Sequence, residues 1–262
     1  MNTSIKPFTT IIPKVTFLIK QLGIDFRKNT GRPLALSTVE IISIGILWKK
    51  QGIITKKSLY DLVSPECSYK TLVVLLNRFL LQILIVLTVC MKENSNHAHV
   101  IKHTDATDIP VCLNKNAKYH RTMKDVASFG YSGKGFYYGI KMNITTDLTG
   151  KLLAIWFTSA NGNDRETFLK MNKSLHGIFV ADSGYIGEDL AKKFFVENRR
   201  ILFAKPKANM KKVATELNNK LYDTRMLIER HFRNLKEFNL LVTHLPRSIN
   251  GYLGNYLFAL LA

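Results

Sequence analysis

Cysteine is scarce in this sequence, where only Cys67, Cys90 and Cys112 occur among 262 residues. The three are far apart, and they form neither a Cys-x-x-Cys pair nor, with the seven histidines, a zinc-binding spacing. A small disulfide-stabilised secreted domain and a structural zinc site are therefore excluded as the basis of the fold. The cysteine content favours a protein of a reducing cytoplasm.

Long apolar runs are also missing. The longest extends over 13 residues, from Phe79 to Met91, whereas a membrane span needs about 20. Near the N-terminus, Lys6, Pro7 and Pro13 interrupt the apolar residues before a signal-peptide core is formed. The run predicts a buried helix, and we expect no export signal and no membrane association.

Acidic residues are few: 19 Asp and Glu stand against 38 Lys and Arg, which gives a net charge of +19. An excess of this size predicts a polyanionic partner, with nucleic acid favoured. On composition alone, a basic protein of ribosomal or membrane-surface type remains an alternative. The 46% of hydrophobic residues suffice for a sizeable core.

Residues 1–95 are predicted to be helical, because apolar residues recur at helical spacing over Thr38–Lys50 and Tyr69–Met91. Ser37 and Glu40 form a capping box before the first of these helices, and Gly52 suits its end. With a helix at Lys56–Val63, the succession predicts either a helix-turn-helix DNA reader or an ordinary small helical bundle. Residues 1–96 carry 13 basic and 5 acidic side chains, which favours DNA.

The polar run Lys92–His97 is predicted to be a linker, after which a second domain spans residues 96–262. Its first part has strand-like periodicity, with a turn at Asp147–Gly150 that indicates an antiparallel meander. The predicted strands are Val100–Leu113, Phe136–Thr146, Lys151–Thr158, Gly177–Ala181 and Ile201–Ala204, and the predicted helices are Asp164–Ser174, Glu188–Asn198 and Asn218–Phe238. Three meandering strands followed by alternating helices and strands predict an α/β fold with a ribonuclease H-like mixed sheet, flanked by helices and preceded by the small all-helical domain.

Two aspartates in this domain are candidates for chemistry. Asp105 lies among apolar residues of the first strand, where an unpaired carboxylate is costly to bury and a metal ion would neutralise it. Asp182 directly follows the strand Gly177–Ala181, at the carboxyl end where α/β sheets hold ligands. A turn-capping or surface role is the alternative for Asp105, and helix capping for Asp182.

The predicted helix Asn218–Phe238 places four polar side chains along one line beside its apolar face. Their offsets of 0, 3, 7 and 14 keep them within about 60° at roughly 100° per residue. They are Tyr222, Arg225, Glu229 and Lys236. The alternative for Arg225 and Glu229 is an ordinary i,i+4 ion pair on an amphipathic helix.

The spacing Tyr-x2-Arg-x3-Glu-x6-Lys resembles the signature of DDE transposases from bacterial insertion sequences. The resemblance extends from about residue 30 to the C-terminus. Its ordered blocks are Asp105 with Ile109–Cys112, then Phe136–Lys141, Ala181–Ile186, Asn209–Lys211 and Arg225–Glu229. In place of the family's small hydroxyl residue and frequent proline, this sequence has Ala106 and Asp108, which makes Asp108 a rival carboxylate.

The resemblance implies a polynucleotidyl transferase that uses two Mg²⁺ or Mn²⁺ ions, with Asp105 as the bridging ligand and Asp182 and Glu229 completing one site each. It also implies that Arg225 and Lys236 contact DNA phosphates and that Tyr222 positions the terminal nucleotide. The expected partners are the transposon inverted repeats and the target DNA. We expect a cytoplasmic, nucleoid-associated protein that is a homodimer when bound to DNA.

Basic stretches elsewhere are predicted to follow the DNA backbone. Residues 192–236 contain 13 basic and 4 acidic side chains, among them Lys205, Lys207 and Lys211. Tyr131–Phe136 is a glycine-rich loop that carries Lys134, and it suits either DNA or a simple hairpin connection. A ribonuclease H-like nuclease and a catalytically inactive DNA-binding remnant are the alternative functions.

Overall fold

The computed structural model describes residues 6–26, 33–198, 200–204 and 215–262. The chain divides into two compact units, one formed by residues 1–90 with 234–262 and the other by residues 91–233. The helices are α1 (Lys6–Gln21), α2 (Thr38–Lys50), α3 (Lys56–Val63), α4 (Tyr69–Arg78), α5 (Leu80–Asn96), α6 (Asp164–Met171), α7 (Glu188–Asn198), α8 (Glu216–Asp223), α9 (Met226–Glu237) and α10 (Ile249–Leu261). The strands are β1 (Ile101–Cys112), β2 (Ser128–Ser132), β3 (Gly135–Asp147), β4 (Leu152–Ser159), β5 (Ile178–Ala181) and β6 (Ile201–Ala204).

Helix α2 begins and ends where the sequence predicts. The Ser37 hydroxyl accepts a hydrogen bond from the Glu40 amide, and the Glu40 carboxylate accepts one from the Ser37 amide at 2.7 Å. Gly52 follows the helix with φ +59°, a conformation that glycine adopts without strain. The predicted capping box and helix end are thus both confirmed.

The predicted helix Tyr69–Met91 is instead two helices, α4 and α5, bent by 48° at the break next to Phe79. Helix α5 continues to Asn96, so the predicted linker Lys92–His97 is wrong. Two of its polar side chains bond within folded structure: the Asn94 side-chain amide donates to the Leu152 carbonyl at 2.9 Å, and the Ser95 hydroxyl donates to the Met91 carbonyl at 2.7 Å.

The apolar run in α5 is only half-buried. Ile83, Val86 and Leu87 are buried, whereas Leu81 is 64% exposed. In the described part of the chain, no single helix is long and apolar enough to cross a membrane, although the bent pair of α4 and α5 together meets the length and composition of a span.

The last helix, α10, packs within the helical unit. Gly45 of α2 faces the ring of Phe258 so closely that a Cβ there would clash with it, and Trp48 meets the same ring edge to face at 6.3 Å. The Lys49 ammonium donates to the Asn255 side-chain oxygen. Residues 234–262 therefore pack with the N-terminal helices, whereas the sequence analysis placed them in the second domain.

The second unit contains a mixed sheet with β1 at its centre. Strand β3 is antiparallel to β1, β5 runs parallel to β1, and β6 runs parallel to β5. On the far side of β3, β2 pairs with its first half and β4 with its second half. The order β4-β3-β1-β5-β6 is that of a ribonuclease H-like sheet, and it confirms the predicted fold class; β2 is an added strand that the sequence analysis did not predict.

One face of the sheet is covered by α6 and α7. Phe168 of α6, Phe194 of α7 and Phe179 of β5 are buried together, with ring centroids 4.6 to 5.9 Å apart. Such aromatic packing removes large apolar areas from water and fixes β5 against its helices. The strand that ends beside Asp182 is consequently anchored in the core.

The predicted long helix Asn218–Phe238 is also two helices, α8 and α9, with Thr224 and Arg225 between them. The Thr224 hydroxyl donates to the Leu221 carbonyl at 2.5 Å, and its oxygen lies 2.8 Å from Nε2 of His103 on β1. A threonine that bonds locally competes with regular helical structure, which accounts for the break. The break also fixes this junction to the face of β1 opposite α6 and α7.

Candidate active site

Asp105 and Asp182 lie side by side on neighbouring strands. His103 of β1 pairs with Val180 of the parallel strand β5. Asp105 and Asp182 each follow two residues later, so they lie at the same level of the sheet. Strand β5 ends at Ala181, so Asp182 is at its carboxyl end, while β1 continues to Cys112. The sheet register therefore brings together two carboxylates that are 77 positions apart in the sequence.

Asp105 is a nearly buried carboxylate with one cationic partner. Its side chain is 13% exposed; Oδ1 accepts the Ala106 amide at 2.8 Å, and Oδ2 accepts Nη2 of Arg225 at 2.6 Å. Burial raises the pKa of Asp105 to about 6, against the opposing effect of Arg225, and the nearby charge of Asp182 adds to the rise. The site thus holds two carboxylates near each other, of which Asp105 is nearly buried and paired with Arg225.

Asp182 also caps a short 3₁₀ turn, Ser183–Tyr185. Its Oδ1 accepts the Gly184 amide at 2.9 Å, which is the capping role considered as an alternative from the sequence. The turn engages this one oxygen and orients the side chain at the end of β5. Capping and ligand binding are compatible here, because a carboxylate offers two acceptor oxygens.

Glu229 lies in the first turn of α9 and is joined to Asp105 through Arg225. Nη1 of Arg225 is 3.1 Å from Oε1 of Glu229, while Nη2 of the same guanidinium contacts Asp105. The i,i+4 ion pair considered from the sequence is confirmed. Arg225 therefore bridges two of the three predicted carboxylates, a contact that differs from the DNA phosphate assigned to it. The Glu229 side chain is 56% exposed.

The predicted line of four residues along one helix is wrong, because the helix is broken at Thr224. Tyr222 lies on α8 and Arg225 in the junction, so only Glu229 and Lys236 share α9. Tyr222 is half-buried, and burial raises its pKa to about 12. Lys236 is half-buried in the last turn of α9, seven residues beyond Glu229.

Of the other lysines predicted to contact DNA, the structure describes Lys134. Lys134 is exposed in the two-residue turn between β2 and β3, so the loop is indeed a hairpin connection. Lys205, Lys207 and Lys211 lie outside the described residues. The rival carboxylate Asp108 is on the opposite face of β1 from Asp105, across from Lys141, which forms an ion pair with Asp164 at 2.8 Å. Asp105, and not Asp108, is therefore the aspartate beside Asp182.

Two residues near the carboxylates were not among the predicted site residues: His103, which as a lone histidine is interpreted as polar filler, and Tyr185. His103 joins β1 to the α8–α9 junction, and burial lowers its pKa to about 4, so its ring is neutral at physiological pH. Tyr185 is buried, and among the described residues its hydroxyl has no hydrogen-bond partner. Burial, together with the charges of Asp164, Asp105 and Asp182, raises the pKa of that hydroxyl. The signal for Tyr185 was its place three residues after Asp182.

The side chains suit a divalent ion by their chemistry, although the described residues contain no group of three or more His, Cys, Asp or Glu close enough to hold one. Carboxylate oxygens are the hard ligands that Mg²⁺ and Mn²⁺ prefer. In this structure the Arg225 guanidinium lies between Asp105 and Glu229 and supplies the positive charge there.

The sequence matches one known protein family. Residues 95–248, more than half of the chain, match the family described as transposase DDE domain. No curated protein matches the sequence. Among solved structures, the chain is similar to a piggyBac transposase solved by cryo-EM as a synaptic complex with hairpin DNA, at 11% identity and a TM-score of 0.41. The match covers 80% of this chain and 52% of that one, so the chain spans about half the length of that transposase. By the match over residues 95–248, the chain belongs to the family of transposases with a DDE domain.

Proposed function

We propose that this protein is a DNA transposase of the insertion-sequence type, which cleaves DNA at transposon ends and joins the released end to target DNA. The observation that carries the proposal is that Asp105, on the central strand of a ribonuclease H-like sheet, lies near Asp182, which directly follows the neighbouring strand β5. Glu229 is connected to Asp105 through Arg225. Family membership independently supports a polynucleotidyl transferase.

In this proposal Asp105, Asp182 and Glu229 would hold two Mg²⁺ or Mn²⁺ ions. When bound, such ions supply an activated water or 3′-hydroxyl and stabilise the leaving oxygen of the phosphodiester. The chain's own contribution is positional: the sheet register fixes the two aspartates, and the His103–Thr224 contact fixes the start of α9 beside them. Arg225 compensates the carboxylates in the metal-free protein.

DNA binding in this proposal depends on basic side chains around the site. Lys236 would contact a phosphate near the scissile bond, as in the Tyr-Arg-Glu-Lys signature that the sequence resembles, and Tyr222 would position the terminal nucleotide. Lys134, Lys205, Lys207 and Lys211 would contact other phosphates of the DNA backbone. The net charge of +19 supports a polyanionic substrate.

We also propose that the N-terminal region, residues 1–95, reads the transposon ends through α3 and α4. These helices are joined by a short turn that begins at Ser64 with φ 45°, and they follow each other as in a helix-turn-helix. At the start of α4, Lys70 is exposed and Tyr69 is 41% exposed. Base-edge readers of this motif lie at the N-terminal end of the second helix.

The remaining parts of the proposal concern the cellular setting. A homodimer is the assembly in which two transposon ends are held together, and the cytoplasm of a bacterium is the compartment that matches the resemblance to insertion-sequence enzymes. The cysteine content is compatible with that reducing compartment.

A joining assay tests the proposed function. The full chain is incubated with its flanking inverted repeats as labelled DNA and a supercoiled target, with Mg²⁺, with Mn²⁺ and with EDTA. The proposal predicts a covalent product that contains both DNAs and that requires a divalent ion. Cleavage without joining would indicate a nuclease, and specific binding of the repeats without cleavage would indicate an inactive remnant.

A further inference from the structure

The hairpin formed by β2 and β3 presents a patch of aromatic rings to solvent. Phe129 pairs with Tyr138 and Tyr131 with Phe136, so all four rings lie on one face of the hairpin. The pairs meet edge to face, with centroids 5.2 Å apart for Phe129 and Tyr138 and 5.1 Å for Tyr131 and Phe136. Phe129, Tyr131, Phe136 and Tyr138 are called the aromatic platform below.

Three rings of the aromatic platform are exposed where apolar rings are usually covered, and the fourth, Tyr138, is half-buried and packs against His120. Phe129 is 55% exposed, and Tyr131 and Phe136 are each 71% exposed. On the other face of the same hairpin, Tyr137 is buried, and Gly130 lies so close to Ala160 that a Cβ would clash with its backbone. One face of the hairpin is therefore packed within the protein, while the aromatic face is open to solvent and to a binding partner.

This face is also the face of the sheet that carries Asp105. Asp105 pairs with Ile144 of β3, and side chains on a strand alternate, so Ile144, Tyr138 and Phe136 all lie on the Asp105 side. Phe136 is eight residues from Ile144, or about 26 Å at roughly 3.3 Å per residue. Tyr138 is six residues from Ile144, or about 20 Å. Stacked DNA rises about 3.4 Å per nucleotide, so the platform lies roughly six to eight stacked nucleotides from the carboxylates.

The surroundings of the platform are strongly basic. Residues 113–139 contain five Lys or Arg against one acidic residue. All five basic side chains are exposed, and they are Lys115, Lys118, Arg121, Lys124 and Lys134. The segment that carries most of them contacts the hairpin directly, because the Asn114 side-chain amide donates to the Phe136 carbonyl at 2.7 Å.

We propose that the aromatic platform binds unpaired bases of DNA by stacking, about six to eight nucleotides from the scissile phosphate. Exposed rings beside a basic track are the combination that binds single strands, since every base has a π face and the backbone is anionic. A protein surface of ordinary charge would pack against the rings but would not neutralise five basic side chains that stand against one acidic residue. This inference deepens the proposed function and rests on DNA being the substrate.

The hairpin is built to present the rings rigidly. Its turn has only two residues, Gly133 and Lys134, and Gly135 follows with φ +105°, which a residue with a side chain adopts only under strain. The Ser132 side-chain oxygen accepts the Lys134 amide at 3.3 Å. A short, pre-ordered hairpin loses little conformational freedom when a base stacks on it.

The test measures binding of the full chain, in EDTA, to an oligothymidylate of about 16 nucleotides and to a duplex of the same length. Tyr131→Leu and Phe136→Leu remove a ring but keep an apolar side chain, and Tyr131→Phe keeps the ring. The matched control is Phe195→Leu, an exposed aromatic on α7 that is 54% exposed. Equal melting temperatures show that each variant is folded.

The proposal predicts that each ring-to-leucine variant binds the single strand about tenfold more weakly, with duplex binding unchanged. Tyr131→Phe and Phe195→Leu should match the wild type. Unchanged single-strand affinity in both leucine variants overturns the proposal. Loss of self-association in these variants, with DNA binding intact, also overturns it and would identify a protein interface. Ring-dependent binding in a chain that fails to cleave or join DNA would reject the proposed function alone.

Discussion

Replacing Arg225 by methionine tests whether this residue compensates the buried carboxylate of the metal-free site. Its guanidinium lies 2.6 Å from Asp105 and 3.1 Å from Glu229, with Asp105 13% exposed and Arg225 26% exposed. Methionine keeps much of the length and apolar contact of arginine but removes the charge and the donors. Asp105 then remains beside Asp182 without its cationic partner.

The expected cost follows from the burial of the pair. A hydrogen bond to a charged group contributes about 1.5 to 3 kcal/mol, and removing one partner of a fully buried pair costs about 3 to 5 kcal/mol. Because water reaches part of both side chains, the lower range applies, and we expect the free energy of unfolding to fall by about 2 kcal/mol. The exposed pair with Glu229 contributes little, since surface ion pairs are worth about 0 to 1 kcal/mol.

Urea unfolding in EDTA measures this loss, with Arg233→Met, an exposed arginine on α9, as the matched control that should change stability by less than about 0.5 kcal/mol. In an Asp105→Asn background, Arg225→Met should cost much less, because the charge it compensates is gone. Mg²⁺ should restore part of the loss in Arg225→Met with Asp105 intact. The reasoning is refuted if Arg225→Met unfolds like wild type, or loses the same amount in both backgrounds.

Three further predictions concern single lysines. Burial lowers the pKa of Lys49 to about 7, so the folded state favours the neutral form of Lys49. The free energy of unfolding should therefore rise as the pH increases from 7 toward 10.5. Urea titrations at several pH values should show this rise in the wild type and a flatter dependence in Lys49→Met. Lys70→Ala should weaken binding to the inverted repeats and reduce the salt slope by about 1, whereas an unchanged slope would exclude Lys70 from the DNA interface. Lys236→Ala should weaken binding of the cleaved end and slow joining, with a loss of binding and activation free energy of about 1.5 to 3 kcal/mol. Lys236→Arg should recover most of this loss. Equal joining rates of wild type and Lys236→Ala at low salt would show that Lys236 does not contact the DNA.

The sequence predicted the elements whose local signals are strong. Helix α2 has its capping box and a following glycine, and α3, α7 and β6 have the predicted bounds. The strands of the meander are predicted to within two residues, because apolar alternation and the turn at Asp147–Gly150 are local features. Asp182 could be placed at a strand end for the same reason.

The errors arise where contacts distant in sequence override local periodicity. The break between α8 and α9 depends on Thr224 meeting His103, 121 residues earlier, and no helical pattern contains that contact. The return of α10 to the first unit depends on the fit of Phe258 against Gly45. The bridging position of Arg225 likewise requires the strand that carries Asp105.

The most direct test of the central claim is DNA nicking at a transposon end, measured across a Mn²⁺ titration for the wild type and four variants. The account predicts that Asp105→Asn, Asp182→Asn and Glu229→Gln each abolish nicking at every Mn²⁺ concentration while binding of the end persists. Asp108→Asn, on the opposite face of β1, should nick like the wild type. Wild-type nicking by any of the first three variants would contradict the assignment. So would a loss of nicking in Asp108→Asn while the first three variants remain active.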